Sequence, residues 1–230
     1  MKRVFPIVFR AAYTVLITAC LAFLGLHFAQ RTAWYKKYLY KQLLAGNENQ
    51  QLRAASTLVH LGDQQQLLRA IRADEPSARA VAKKALEYLW FNASGPEACH
   101  LTQAAYEASE KREFEKALGL LTTLVNKFPK FAEGWNQRAS VFWQLGEYEK
   151  SIGDSRHALE LNPNHYGAWQ GMGVCRLKMG DLREACRCLR SALKILPYDQ
   201  PTRDALKNCE ELLRRTAPAG RATPVDSQVI

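Results

Sequence analysis

The chain has 230 residues, 47% of them hydrophobic and 23% charged, with 13 Gly, 9 Pro and 6 Cys. This profile excludes a disordered, collagen-like or low-complexity chain and a disulfide scaffold, and the length admits one large domain or two small ones. The formal net charge of +10 is concentrated at the start: Lys2, Arg3, Arg10, Arg31, Lys36, Lys37 and Lys41 lie within residues 1–41 with no acidic residue among them. The rest is close to neutral, which argues against a nucleic-acid-binding body with a basic face and fits a chain held at a membrane.

Residues 11–29 read AAYTVLITACLAFLGLHFA. As a helix this stretch spans about 28 Å, close to the roughly 30 Å hydrocarbon core of a bilayer. Arg10 flanks one end, Arg31, Lys36 and Lys37 the other, and Trp34, Tyr35, Tyr38 and Tyr40 follow as an interfacial aromatic belt would. The expectation is an uncut single-pass anchor: residues 1–30 form the basic N-terminus and transmembrane helix, and 31–49 a juxtamembrane helix. Two alternatives stay open. A cleaved secretory signal could end at Ala29, although His27 fits poorly two residues earlier. Ile17-Thr18-Ala19-Cys20 resembles a bacterial lipobox, with Cys20 as the lipidated residue, although apolar Leu21-Ala22-Phe23-Leu24 follows it. Basic charges on the two sides of the span nearly balance, so the side of the membrane stays undetermined.

Residues 50–96 carry a shorter internal match. An offset of 28 aligns Ala54 with Ala82, Thr57 with Ala85, Leu58 with Leu86 and Leu61 with Leu89. Leu61-Gly62-Asp63, Leu67-Leu68-Arg69 and Asp74-Glu75-Pro76 resemble a HEAT-type helical pair; generic amphipathic helices are the alternative. Phe91 to Pro96 reads as a junction.

From residue 98 a stricter period begins. Pro129, Pro163 and Pro197 are each 34 apart. So are Leu101, Trp135 and Trp169; Ala105, Ala139 and Gly173; Phe114, Tyr148 and Leu182; Ala117, Ser151 and Ala185; and Leu124, Ala158 and Ala192. No gap is needed across 98–199. Each unit predicts two amphipathic helices, with Gly146-Glu147 and Gly180-Asp181 breaking the first and Pro163 and Pro197 ending the second. The small residues let the paired helices approach closely. One hairpin cannot bury its own face, so successive hairpins stack.

The order large–small–aromatic–small–large–small–proline in AEGWNQRASVFWQLGEYEKSIGDSRHALELNPNH and its neighbours resembles the tetratricopeptide repeat family. The resemblance implies an all-α helical-repeat solenoid, a right-handed superhelix, with repeats at 98–131, 132–165 and 166–199. Residues 200–215 would cap the stack, and the tail at 216–230 is expected to be disordered. In such stacks the first helix of each repeat lines a concave groove. Carried onto this chain, the groove takes Thr102, Gln103, Tyr106 and Glu110 from repeat one. Repeat two contributes Asn136, Gln137, Ser140, Trp143 and Gln144, and repeat three Gln170, Val174 and Lys178. Such residues suit an extended peptide backbone, and Trp143 is either an anchor surface or a packing residue. The resemblance also implies an absence. The basic clamp that holds the acidic EEVD-type tail of heat-shock chaperones falls here on Thr102, Tyr106, Gln137, Gly167 and Gly171, none of them basic.

No catalytic, phosphate-binding or metal-ligating pattern stands out, and no cofactor is implied. Cys186 and Cys188 point about 200° apart on a helix and cannot clamp one metal. Cys175 and Cys188 are expected inside the stack, and His157 and His165 to be solvated or capping. The chain thus reads as a non-enzymatic, membrane-anchored module that binds a partner protein or peptide. The alternative is an envelope-assembly lipoprotein or scaffold subunit whose solenoid is a spacer.

Overall fold

Residues 15–20 and 32–216 are described by a computed structural model. The chain divides into two compact units, residues 1–89 and 90–230. Most of the expected membrane span lies outside the described residues. Residues 15–20 are helical, with Val15, Leu16 and Ile17 exposed. Among the described residues no helix is long and apolar enough to cross a membrane. The expected tail, but for Thr216, also lies outside them.

In the first unit, local capping chemistry sets the helix starts. Thr32 Oγ1 accepts from the Tyr35 amide at 3.3 Å and opens α1 (Ala33–Ala45). Asn47 and Gln50 form a reciprocal capping box at α2 (Glu48–His60), at 3.0 and 2.9 Å. Asp63 caps α3 (Gln64–Ala70) and also pairs with Lys36 at 3.0 Å. The fourth helix, α4 (Pro76–Phe91), begins at a proline and carries the unit boundary in its last turn. Ala54 and Leu58 of α2 are buried, as are their 28-offset counterparts Ala82 and Leu86 of α4.

The second unit is built from hairpins: α5 (Gly95–Glu110) with α6 (Phe114–Lys127), α7 (Ala132–Gln144) with α8 (Tyr148–Leu161), and α9 (Tyr166–Lys178) with α10 (Leu182–Ile195). A final helix, α11 (Gln200–Thr216), packs on α10. The 34-residue period reappears in three dimensions. Amides of Glu113, Glu147 and Asp181 donate to the carbonyls of Ala108, Phe142 and Arg176 at 2.8–2.9 Å. Gly146 and Gly180, with φ of 78° and 80°, make the turn between helices in repeats two and three. Trp135 Nε1 donates to the Pro129 carbonyl at 2.9 Å, and Trp169 Nε1 to that of Pro163 at 3.0 Å. Arg203 Nε takes the next place in the series, donating to the Pro197 carbonyl at 2.7 Å.

The small residues sit where the period puts them. Ala117, Ser151 and Ala185 are buried, and so are Leu124, Ala158 and Ala192. At Gly173 a Cβ would fall 2.9 Å from Leu189, so a side chain there would separate α9 from α10. Cys175 and Cys188 pack in one cluster with Ile152, Ala168 and Met172. Cys186, on the other side of α10, meets Cys209 of α11 with the two sulfurs 2.7 Å apart.

Candidate functional site

The first helices of repeats two and three, α7 and α9, run side by side with α8 behind them. Between them lies a cavity of about 310 Å³, lined by Asn136, Gln137, Ser140 and Trp143 of α7 and by Gln170 and Val174 of α9. These six are among the positions that the repeat pattern assigned to the groove. Ala139, Ser151, Ser155, Gly167 and Gly171 complete the lining. Among the described residues no charged side chain lines the cavity.

Several lining groups are held by neighbours. The Gln170 amide donates to Asp199 Oδ2 at 2.9 Å and also to Thr202 Oγ1, which ties α9 to the start of α11. The Gln137 amide donates to Glu133. Ser151 Oγ donates to the Ala139 carbonyl at 2.8 Å and receives the Cys175 thiol at 3.2 Å. Burial pushes the Cys175 thiol up, against a smaller lowering by that contact. Ser155 differs from all of these. It is 1% exposed, and its hydroxyl has no hydrogen-bond partner among the described residues.

The remaining groove positions lie elsewhere. Thr102 is buried and spends its hydroxyl on the Ala98 carbonyl at 2.8 Å, so it offers no free donor. Gln103 donates to Glu107 on its own helix at 3.2 Å. Tyr106 is 54% exposed, and Glu110, Gln144 and Lys178 are exposed. None of these lines the cavity. Trp143 is 40% exposed and forms part of the cavity wall.

His165 caps α9 rather than facing solvent. It is 3% exposed, and its Nδ1 accepts from the Ala168 amide at 3.2 Å. That acceptor role puts the ring proton on Nε2, which donates to Glu133 at 2.9 Å. The Trp90 ring stacks on this imidazole at 4.9 Å. His157 is half-exposed, pairs with Glu160 at 3.2 Å and meets Trp135 edge-on at 4.2 Å.

Ser155 escapes groove assignment by repeat position, whereas Gly167 and Gly171 fall on positions of the clamp named above. Ser155 belongs to a second helix, and the glycines show only as missing side chains. Two glycines four apart on a first helix were the available signal, since glycine in a helix costs about 1 kcal/mol relative to alanine. Among the described residues no three His, Cys, Asp or Glu side chains group as a metal site.

The model of the tetratricopeptide repeat matches residues 132–165 and 166–198. A TPR repeat-containing protein of Rhizobium etli is 31% identical over 113 residues, 49% of this chain and 55% of that one. Human DnaJ homolog subfamily C member 7 is 23% identical over 103 residues, 45% of this chain and 21% of that protein. This chain thus spans about half the length of the first relative and a fifth of the second. Among solved structures, the Sgt2 TPR domain of Aspergillus fumigatus superposes with a TM-score of 0.51 at 21% identity, covering 58% of this chain and 91% of that one. The first TPR of Spaghetti (RPAP3) bound to an HSP90 peptide gives 0.50 at 20%, covering 51% and 93%. At these identities the likeness is one of fold. With the turns, indole hydrogen bonds and buried small residues recurring every 34 positions, residues 132–198 form a pair of tetratricopeptide repeats.

Proposed function

We propose that the chain is a non-enzymatic interaction module that binds an extended peptide or a segment of a partner protein along α7 and α9. The cavity between these helices carries this reading. It combines an exposed indole, Trp143, with uncharged donors and acceptors at Asn136, Gln137 and Ser140. An extended backbone has its N–H and C=O groups unpaired and needs such partners, while an aromatic supplies an apolar anchor. Gln103, Tyr106, Gln144 and Lys178 would flank the peptide rather than fill the cavity, and buried Thr102 would support them from behind.

Residues 11–29 would hold this module at a membrane, with Cys20 as a lipidation site if the segment is processed there. A lipid mass on the N-terminal peptide separates that route from an uncut span. The partner's tail is not of the EEVD type, because Thr102, Tyr106, Gln137, Gly167 and Gly171 supply no cation for its carboxylates. Titration with an EEVD-ending peptide should show no micromolar binding.

The deciding experiment is photo-crosslinking from position 140 in cells, followed by mass spectrometry of the captured chain. The double variant Trp143→Ala/Asn136→Ala should lose most of the captured partner while its far-ultraviolet spectrum stays unchanged. Undiminished capture, with the partner mapped to another face, would overturn the reading.

A further inference from the structure

One wall of the groove is held by the last described helix. Asp199, just ahead of α11, and Thr202 in its first turn both receive the Gln170 amide. The position of this cavity-lining side chain therefore depends on α11 staying docked. Yet α11 is thinly anchored, since Thr202 and Cys209 are its only buried residues. A terminal helix with so little buried surface opens more readily than the hairpins it covers.

Cys209 lies two turns beyond Thr202, in a buried cluster with Ala185, Cys186 and Leu189 of α10. Its sulfur is 2.7 Å from that of Cys186 and 3.1 Å from the Leu182 carbonyl. Both are free thiols. A disulfide spans about 2 Å between sulfurs, so bonding asks for a shift of under about 1 Å from helices already in place. The other buried cysteines are placed differently. Cys175 meets the Ser151 hydroxyl, and Cys188 packs with Ile152 and Met172.

We propose that Cys186 and Cys209 form a disulfide that locks α11 onto α10 and thereby fixes Gln170 in the groove wall. The second half of this statement rests on the groove reading; the first does not.

The oxidant is another disulfide, such as glutathione disulfide. It does not act on the docked pair, whose cysteines are 1% and 0% exposed. Burial, reinforced by Cys186, also pushes the Cys209 thiol up to about 12, so the docked form supplies little thiolate. Exchange takes place while α11 is off α10, during folding or opening, when both thiols are in water. One cysteine thiolate attacks the donor, whose S–S bond breaks. One donor sulfur leaves as a thiolate, and the other stays in a mixed disulfide. As α11 returns, the second cysteine thiolate attacks the chain sulfur of that mixed disulfide and releases the remaining donor sulfur. Two electrons pass from the cysteines to the donor, and its two thiolates take up the two protons.

Refolding exposes both thiols and decides the matter. The full chain is reduced, unfolded in urea and refolded in detergent with either oxidised or reduced glutathione. It is then alkylated and digested without reduction for mass spectrometry. The main oxidised product should be the Cys186–Cys209 linked peptide. This link closes a loop across 23 residues and restricts the unfolded chain, so the linked protein should melt roughly 5–10 °C higher than the reduced one. Hydrogen exchange along α11 should slow at least tenfold. Cys209→Ala should lose both the linked peptide and the dependence of melting on the buffer. Recovery of both cysteines as alkylated thiols or glutathione adducts after oxidative refolding overturns the proposal. Crosslinking from position 140 should capture about two- to tenfold more partner with the linked chain, because one side chain of the groove is held in advance. Equal capture by linked and reduced chains overturns the coupling to the groove. Capture by neither defeats the groove reading and leaves the disulfide standing.

Discussion

Arg112 and Gly146 stand at the same point of successive repeats, and both hold a left-handed backbone, with φ of 61° and 78°. Each amide donates back across the turn, Arg112 to Ser109 and Gly146 to Trp143, at 2.9 and 3.0 Å. Repeat one therefore makes with an arginine the turn that repeats two and three make with glycine. A side chain in this conformation costs roughly 1–2 kcal/mol. Arg112→Gly should stabilise the second unit by about 1 kcal/mol, because the looser unfolded chain returns part of the gain. Urea unfolding checks this; a lower midpoint would show that the arginine side chain is itself needed.

Asp154 holds Arg138 in a two-point pair, Oδ2 to Nε at 2.7 Å and Oδ1 to Nη2 at 2.9 Å, between α8 and α7. The side chains are only 10% and 16% exposed, and the guanidinium also lies over the rings of Trp135 and Phe142. Removing one partner strands a largely buried charge, whereas removing both does not. Asp154→Ala should cost about 3 kcal/mol, and Arg138→Met with Asp154→Leu markedly less. Denaturant midpoints of the two variants decide between a pair that holds the hairpin and one that only decorates it.

The Cys186–Cys209 contact makes stability fall on the alkaline side. Burial, reinforced by the Cys186 thiol, pushes Cys209 up to about 12 from an ordinary value of 9.0. Below pH 9 the folded and unfolded chains both keep this proton, and the group has no effect. Between about pH 9 and 12 the unfolded chain releases the proton and the folded chain retains it. Stability must then drop as pH rises. Cys209→Ala should flatten this part of the stability–pH curve relative to the parent protein, and an unchanged slope would assign the effect to other groups.

Thiol accessibility follows from the same packing. Cys175, Cys186, Cys188 and Cys209 are buried, while Cys99 is half-buried. Under native conditions a maleimide should label Cys99 at least tenfold faster than any of the four. Mass spectrometry after timed quenching reads this directly, and fast labelling of Cys209 would mean that α11 opens readily from α10.

The repeats could be read from the chain because each carries its own local instructions. Gly146 and Gly180 permit the turn, Pro163 and Pro197 end the helices two residues after α8 and α10 stop, and small residues fall at a constant spacing. These effects act over a few residues, so one period of 34 is enough to display them. The expected groove positions came from the resemblance to tetratricopeptide stacks rather than from such local signals. Asn136 and Ser140 recur 34 residues on as Gln170 and Val174, and the fold brings these four, with Gln137 and Trp143, to one cavity.

What the sequence determined by itself is therefore the secondary structure, the hairpin unit and the face each helix buries. These depend on periodicity, capping and turn chemistry. The tertiary structure alone decided which distant side chains meet. It set the His165–Glu133 hydrogen bond across 32 residues and the contact between Cys186 and Cys209 across 23. It also placed the unpartnered Ser155 hydroxyl behind Gly171. Such meetings depend on how one hairpin is rotated and shifted against the next. That displacement is set by the summed fit of many side chains, not by any local run of residues.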